Sequence, residues 1–314
     1  MALDLFSFPK DTGAADVFYY VGSSPVLGAD WMVWEKPRGK SMIDILLVGK
    51  GGNGGAGVIG AASLASGGGG GGSGSQTRLT MPLALLPDRL YISLAGPSAT
   101  TTLASYITLG LKLTAGAGAP IVNDVLMIAN GGNNGNAGAG ATAGTGGPGG
   151  VAATAGVMPI GWAFSTTLIG QGGSTGGTTS TSASVVLPIT GLLVTGGGGG
   201  AGVGNAASTG FAAGGITGVG ILPTVQGALA PGSQTVPPNN GFAGFKPVAG
   251  LVYYYGGTGG ASTGGASTGG GLVQSSGGNG APGCGGGGTG GAFTGSAAGV
   301  VGQGGPAFCI ITVW

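Results

Sequence analysis

Apolar and polar residues alternate in short runs along the first 130 residues and again at the end of the chain. Alternation over four to eight residues is typical of β-strands that bury one face, and no run shows the 3.6-residue period of an amphipathic helix. We therefore predict a mainly β fold. The runs that predict strands are DWMVWEKP (30–37), MIDILLV (42–48), QTRLTMPL (76–83), PDRLYISLA (87–95), LASYITLGLKL (103–113), DVLMIAN (124–130) and PAFCIITVW (306–314).

The strand at 42–48 runs into glycines that match a dinucleotide-binding motif. Gly55, Gly57 and Gly60 fit G-x-G-x-x-G, which requires a helix after the glycines and an acidic residue about 20 positions later. Instead, six consecutive glycines follow at 67–72, and the next acid is Asp88. Each glycine would cost a helix about 1 kcal/mol relative to alanine. We therefore predict that this stretch binds no nucleotide and that the protein uses no cofactor.

Long glycine tracts separate the predicted strands, and the chain contains 81 glycines in 314 residues. Extended polyproline-II helices have three residues per turn and direct their backbone groups outward, and glycine lets such helices touch on all sides. We expect an antiparallel β-sandwich-like scaffold whose glycine-rich excursions pack as polyproline-II-type helices, the polyglycine II arrangement. The main tracts are 51–74, 130–156, 170–177, 196–220 and 256–305.

This expectation can be stated for particular segments. The tracts at 130–156 and 256–305 should be extended and ordered, with backbone groups paired to neighbouring glycine segments, because buried unpaired groups are costly. The last strand should pair within the N-terminal sheet and close the domain. We divide the chain into an N-terminal docking or covering segment (1–29) and a single glycine-rich β domain (30–314), composed of a strand scaffold (about 30–129), glycine-rich tracts (130–306) and a closing strand (307–314).

Charge is scarce and unevenly distributed. Charged residues make up 5% of the chain, histidine is absent and the net charge is +1. All of the nine basic and eight acidic residues except Lys246 lie before residue 125. The near-neutral balance gives no basic face for nucleic acid. Disordered tails usually combine low hydrophobicity with high charge, so the uncharged second half favours packed backbone over a solvated coil.

We expect neither a membrane span nor a secretion signal. The uncharged run 151–170 is long enough to cross a bilayer, but it contains Pro159 and several glycines and has no basic flank. The first 20 residues have no basic segment ahead of an apolar run. Cys284 and Cys309 predict two free thiols of a protein made in a reducing cytoplasm, with a single disulfide between them as the alternative.

Several stretches together resemble the glycine-rich domain of bacteriophage tail fibres and tail-associated virion proteins. WMVWEKPRGKSMIDILLVGKGGNGG (31–55) is similar to the opening of that family, in which a Trp-containing strand, a Pro-x-Gly turn and an apolar strand lead into polyglycine. RLTMPLALLPDRLYISLAG (78–96) is similar to the strand pair that follows. LASYITLG (103–110), DVLMIANGGNNG (124–135) and GGPAFCIITVW (304–314) are similar to its later strands and its closing strand.

The resemblance implies a phage virion structural protein that displays a rigid glycine-rich domain, as a tail fibre or adhesin component for host attachment. Its expected partners are other virion proteins, a host surface glycan or outer-membrane protein, and further copies of itself. Its location would be the virion, after assembly in the host cytoplasm. The alternative is a capsid decoration or head-fibre protein without receptor binding. An ice-binding protein is a further hypothesis, because packed glycine helices present flat, weakly polar faces.

The sequence gives little support to catalysis. Without histidine there is no triad base, and two distant cysteines do not make a metal site. A glycosidase needs two carboxylates that face each other across the substrate, and no pair is selected among the isolated acids. We therefore predict that the protein is not an enzyme and holds no metal. Asp44 is interpreted as the solvent-facing position of a strand.

Aromatic residues outside the predicted strands are the candidate receptor-binding residues. Phe242 and Phe245 stand among glycines in NNGFAGFKP (239–247), beside Lys246. In LVYYYGG (251–257), Tyr253 and Tyr255 would share one face of a strand. Exposed tyrosine suits recognition of sugars or proteins because its ring is apolar and its tip polar. The alternative is that these rings pack over the glycine tracts.

Overall fold

The protein is mainly β, with antiparallel sheets and almost no helix, as predicted. Helical structure in the described residues is limited to a short 3-10 turn at Leu83–Leu85 and 3-10 geometry at Asp124, so no described helix has the length and apolar character to cross a bilayer. The computed structural model describes residues 15–25, 31–60, 64–97, 103–110, 124–152, 164–177, 185–186, 192–201, 216–217, 243–244, 256–257, 259, 274–294 and 296–314.

Each of the seven runs predicted as strands contains one, whereas Asp16–Val21, Phe164–Leu168 and four two-residue strands were not predicted. The described strands are β1 (Asp16–Val21), β2 (Trp31–Glu35), β3 (Met42–Val48), β4 (Ile59–Gly60), β5 (Gln76–Pro82), β6 (Arg89–Ser93), β7 (Ser105–Thr108), β8 (Val125–Ala129), β9 (Phe164–Leu168), β10 (Val185–Val186), β11 (Ile216–Thr217), β12 (Ala292–Phe293) and β13 (Phe308–Val313).

Two antiparallel sheets hold most of these strands. The larger sheet has the order β1-β13-β3-β5-β9, and the smaller one has the order β2-β6-β7-β8. The closing strand β13 lies between β1 and β3, with Ile311 opposite both Phe18 and Ile45, which confirms its predicted pairing. The short strands form two parallel pairs, β4 with β12 and β10 with β11.

The two sheets share one cluster of buried side chains. Along β3, Ile43, Ile45 and Leu47 point into this cluster and are fully buried, as the alternating pattern predicts. Trp34 and Ile92 belong to the smaller sheet and bury their side chains in the same cluster. Each large apolar side chain buried in this way contributes about 1.5–3 kcal/mol.

A smaller cluster covers the opposite face of β3 and β13 where those strands meet the glycine tracts. Val48 and Phe308 pack there against Leu192, Val194 and the turn at 281–284. In that turn, Pro282 is followed by Gly283, whose φ is +76°, and Cys284 N–H donates to the Ala281 carbonyl at 2.9 Å. A proline followed by a glycine with positive φ is typical of a type II turn.

Glycine-rich segments continue beyond the end of the sheets and bond to one another through their backbones. We call this set the glycine bundle. Its segments are 49–58, 66–75, 130–138, 143–150, 169–177, 195–201, 256–257, 274–283, 284–291 and 299–306. Backbone groups in the described parts of 130–156 and 256–305 are thus paired with neighbouring glycine segments, as predicted. Residues 153–156 and most of 258–273 lie outside the described chain.

The segment 66–75 has six hydrogen-bonded neighbours. Its N–H groups donate to three segments in turn, and the pattern repeats every third residue. Its carbonyl groups accept from three others. The bonds of the middle residues are Gly70 N to Ser174 O (2.8 Å), Gly71 N to Gly286 O (2.8 Å), Gly72 N to Asn133 O (2.9 Å), Gly147 N to Gly70 O (2.8 Å), Gly197 N to Gly71 O (2.8 Å) and Gly52 N to Gly72 O (2.8 Å).

The six neighbours also bond to one another, so they form a closed ring around 66–75. Residues 284–291 have six neighbours as well, which makes two fully surrounded segments. Each pair of adjacent segments in the ring is joined by at least one backbone hydrogen bond. Examples are Gly135 N to Asn53 O, Asn136 N to Thr145 O, Gly173 N to Gly147 O, Ser174 N to Gly197 O, Gly288 N to Gly198 O and Gly286 N to Gly52 O.

This packing explains why the central segment is glycine. A Cβ built on Gly71 would lie closer than 3.0 Å to the Gly52 carbonyl, and one built on Gly70 would meet the Gly197 carbonyl in the same way. Real Cβ atoms essentially never approach backbone so closely. At the outside of the bundle the restriction ends, since the nearest atom to a Cβ at the exposed Gly172 lies 3.5 Å away.

Candidate functional site

The four predicted receptor-binding residues, Phe242, Phe245, Tyr253 and Tyr255, lie outside the described residues. The described residues beside them are attached to the glycine bundle. Gly244 N–H donates to the Asn279 carbonyl at 2.5 Å. Gly256 N–H donates to Thr195 Oγ1 at 2.7 Å. The described residues next to Phe245 and next to Tyr255 are therefore anchored to the bundle.

The end of the bundle farthest from the sheets is made of connections between segments. The connection from 130–138 to 143–150 is a tight turn in which Ala139 and Thr142 exchange backbone hydrogen bonds of 2.8 and 2.9 Å. Gly140 has a φ of +58°, which favours glycine, and the side chains of Ala139, Ala141 and Thr142 are exposed. Among the described residues, this far end therefore includes an exposed turn that is closed by paired backbone groups.

Polar side chains in the bundle satisfy backbone groups at its outer positions. Asn130, Asn133 and Asn136 are spaced three residues apart, and their side-chain amides donate to Val151 O, Pro148 O and Thr145 Oγ1 on the antiparallel neighbour. Elsewhere side-chain oxygens accept from backbone N–H groups, as in Gly196 N to Gln171 Oε1, Gly199 N to Ser174 Oγ, Gly299 N to Gln274 Oε1 and Gln303 N to Asn279 Oδ1. Polar side chains of the tracts thus provide the hydrogen bonds that a further glycine segment would provide inside the bundle.

Three of the described acids are each tied to a separate cation. Asp44 accepts from Arg78 Nε at 2.9 Å and from Thr80 Oγ1 at 2.5 Å, so this predicted outward position of β3 carries a partly buried ion pair. Asp16 pairs with Lys40 at 3.3 Å, and Glu35 pairs with Arg89 at 3.2 Å. Among the described residues, no group of histidine, cysteine and acidic side chains is arranged to hold a metal.

A charged cleft of about 820 Å³ lies at the end of the sheets opposite the glycine bundle. Lys36, Arg38 and Lys40 line it together with Glu35 and Arg89. Lys36 Nζ donates to the Leu86 carbonyl at 2.8 Å. The cleft thus contains both signs of charge and presents ion pairs to solvent.

Lys50 is a buried residue that sequence reasoning missed. It lies two residues after the end of β3, is 1% exposed, and its Nζ has no hydrogen-bond partner. Its stem lies beside 130–138, because a Cβ at Gly131 would be 3.1 Å from Lys50 Cγ. Burial lowers the pKa of the Lys50 amine. The sequence feature that could have indicated this burial is a single lysine between an apolar strand and a glycine-rich run.

Both cysteines are free and fully buried, which confirms the prediction of two thiols over a disulfide. Cys309 lies in the cluster between the two sheets, and Cys284 lies in the cluster around Phe308. Burial raises the pKa of both thiols far above the usual range. A thiol is nucleophilic as the thiolate, so neither cysteine is a reactive group.

Three exposed apolar side chains lie on β9 or on the segments beside its end. Phe164 in β9 is 74% exposed, and Val151 and Ile169 are each 66% exposed. Gly170 N–H donates to the Gly150 carbonyl at 2.8 Å, so the residues next to them, Val151 and Ile169, lie on adjacent segments. In the sequence this region is an uncharged run that predicts no binding surface.

Comparison with protein-family models and with curated protein sequences found no match to this chain.

Proposed function

We propose that this chain is a phage virion structural protein that displays a rigid glycine-rich domain, as a tail fibre or adhesin component for host attachment. The observation that carries the proposal is the segment 66–75, which has hydrogen-bonded neighbours on six sides. A backbone paired in this way leaves few ways for the bundle to bend. Binding residues are commonly placed on loops that a rigid scaffold positions, and the turns at the far end of the bundle suit that arrangement.

The finer architecture belongs to the same proposal. The two sheets, which share a core, would form a β-sandwich, and the bundle segments would be polyglycine II helices packed on a hexagonal lattice. The three-residue repeat of the hydrogen bonds along 66–75 supports this, because a polyproline-II helix turns once in three residues. The ladder of Asn130, Asn133 and Asn136 has the same period.

The proposed partners follow from this arrangement. Other virion proteins would hold the domain, and a glycan or outer-membrane protein of the host surface would bind to it. Phe242, Phe245, Tyr253 and Tyr255 remain the proposed binding residues. Their attachment points support this, since Gly244 and Gly256 are both bonded to bundle segments.

Binding to host cells tests the proposal. Purified protein should bind cells of a susceptible host, excess unlabelled protein should compete, and replacing the four aromatic residues with alanine should abolish binding without changing the unfolding midpoint. Gly172→Ala, at an exposed position of the bundle, serves as the control variant. Failure to bind any susceptible host would contradict host attachment. Location of the chain on the capsid surface in a virion map would favour the decoration or head-fibre alternative.

A further inference from the structure

The exposed edge of the larger sheet carries an inference that does not depend on the proposed function. β9 is the last strand of that sheet, and the described chain pairs nothing with its outer side. Phe164, Ser165 and Thr166 are exposed, and Thr167 and Leu168 are half-buried. An edge strand offers unpaired N–H and C=O groups to any other strand that can reach them.

The edge lacks the features that proteins use to prevent such pairing. Natural edges are interrupted by lysine, proline, a bulge or an inward-pointing charge. The strand FSTTL has none of these, and its register with β5 from Thr80 to Gln76 is continuous. The nearest charge on the same face is Arg78, opposite Thr166, and this charge is already paired with Asp44 at 2.9 Å.

We propose that β9 is a dimerisation edge, at which a second copy of this chain adds its own β9 antiparallel across a two-fold axis through Thr166. Under that symmetry Phe164 lies opposite Leu168 of the other copy, Ser165 lies opposite Thr167, and Thr166 lies opposite itself. Phe164, Thr166 and Leu168 share one face of the strand, since successive side chains alternate between faces. The two sheets become one sheet that runs through both copies.

The strand is self-complementary in this register. Pairs of an aromatic with an apolar side chain and pairs of threonines stabilise antiparallel neighbours, whereas like charges directly opposite each other destabilise them. The register places a Phe–Leu pair on each side of a Thr–Thr pair and opposes no charges. A two-fold interface of this kind uses the same patch on both copies, which explains why Phe164 is 74% exposed in the single chain.

The oligomeric state of the full chain tests the proposal directly. Light scattering after size exclusion should give the mass of a dimer that dissociates on dilution. Thr166→Lys places two like charges opposite each other and should weaken dimerisation by about tenfold or more. The control is Thr175→Lys, the same change at an exposed position of the glycine bundle, which should leave the dimer unchanged.

Cross-linking checks the register itself. Under mild oxidation Thr166→Cys should form a disulfide-linked dimer quickly, because residue 166 meets itself at the axis. Ser165→Cys should do so much more slowly, since residue 165 faces residue 167. The native thiols of Cys284 and Cys309 are buried and should not contribute. A monomer at every concentration, or a dimer that Thr166→Lys leaves intact, would overturn the proposal and leave the edge open to a strand of another protein.

Discussion

In the β-sheet region, every second side chain of a strand fills the space between the two sheets. In the glycine bundle, neighbouring segments contact each other through their backbones. Ile45 and Leu47 illustrate the first kind of packing, with both side chains fully buried between the sheets. Gly71 illustrates the second, with N–H and carbonyl groups bonded to different segments and no room for a Cβ. One chain thus buries apolar area in one region and paired peptide groups in the other.

The two regions differ in the amino-acid substitutions that they tolerate. A side-chain core accepts other apolar residues of similar volume at a modest cost. In the backbone-packed bundle, a position such as Gly71 accepts only glycine, because a Cβ there would meet a backbone carbonyl instead of a side chain that could move aside. Each hydrogen bond between segments contributes about 1 kcal/mol net, and each ordered residue costs about 1–2 kcal/mol of backbone entropy. The bundle is therefore stable only because the sheets hold its ends.

The largest effect should come from adding a side chain inside the bundle. Gly71→Val should lower the free energy of unfolding by more than about 4–5 kcal/mol, enough to prevent folding, because its Cβ would meet the Gly52 carbonyl. Gly172→Val, at the exposed surface, should change stability by less than about 1 kcal/mol. Denaturant unfolding checks both, with Gly71→Ala as the milder variant. Equal stability of the Gly71 and Gly172 variants would contradict backbone packing.

Removing a side chain from the sheets should have the next largest effect. Ile45→Ala should cost about 2–5 kcal/mol through the cavity that it leaves, while Ile45→Leu should cost less than about 1.5 kcal/mol. The same unfolding measurement applies. The comparison predicts that a substitution which conserves side-chain volume costs little stability in the sheets. At Gly71 every substitution should be costly. A large loss from Ile45→Leu would weaken that distinction.

Replacing the buried lysine should stabilise the protein. Lys50→Met removes an amine without a partner, and the expected gain is about 1–3 kcal/mol. Burial lowers the pKa of Lys50 in the fold, so as pH falls below about 10.4 the unfolded chain takes up the proton first and wild-type stability decreases. Denaturation at a series of pH values should show this decrease, and Lys50→Met should remove it. An identical pH dependence of stability in both proteins would contradict a lowered pKa of Lys50 as its cause.

The smallest effect should come from the edge of the bundle. Asn136→Ala removes an exposed hydrogen bond of 2.6 Å to Thr145 Oγ1 and should cost about 0.5–1.5 kcal/mol. Thermal unfolding should show a small decrease, with Thr145→Val giving a similar one. The double variant should cost less than the sum of the two, because both changes remove the same bond. Additive effects would mean that the two side chains do not act together.

The strands of the scaffold could be predicted from the sequence because a buried face imposes a two-residue period. Met42–Val48 was predicted with its bounds, and the pairing of the closing strand followed from its composition. β9 could not be predicted, since FSTTL is exposed at three of its five positions and leaves no alternation to detect. Which segment bonds to which could not be predicted either, because glycine carries no side chain that identifies a neighbour.

The candidate site was predicted least well. Lys50 was missed because its burial depends on Gly131, which the fold brings beside it from 81 positions away in the chain. Asn130, Asn133 and Asn136 form a three-residue period that is visible in the sequence, although only the structure shows the antiparallel neighbour that they bond to. The proposed binding residues Phe242, Phe245, Tyr253 and Tyr255 stay a prediction.

Hydrogen exchange of the backbone amides in 66–75 tests the central claim most directly. These amides donate to three neighbouring segments, and the account predicts that they exchange as slowly as the amides of β3, only when the whole domain unfolds. Gly140 and Ala141, at the tip of the exposed turn, provide the internal reference for fast exchange. Exchange of 66–75 at the rate of a free peptide, in a protein whose sheets are protected, would contradict the account and leave the glycine tracts as flexible loops on a small β scaffold.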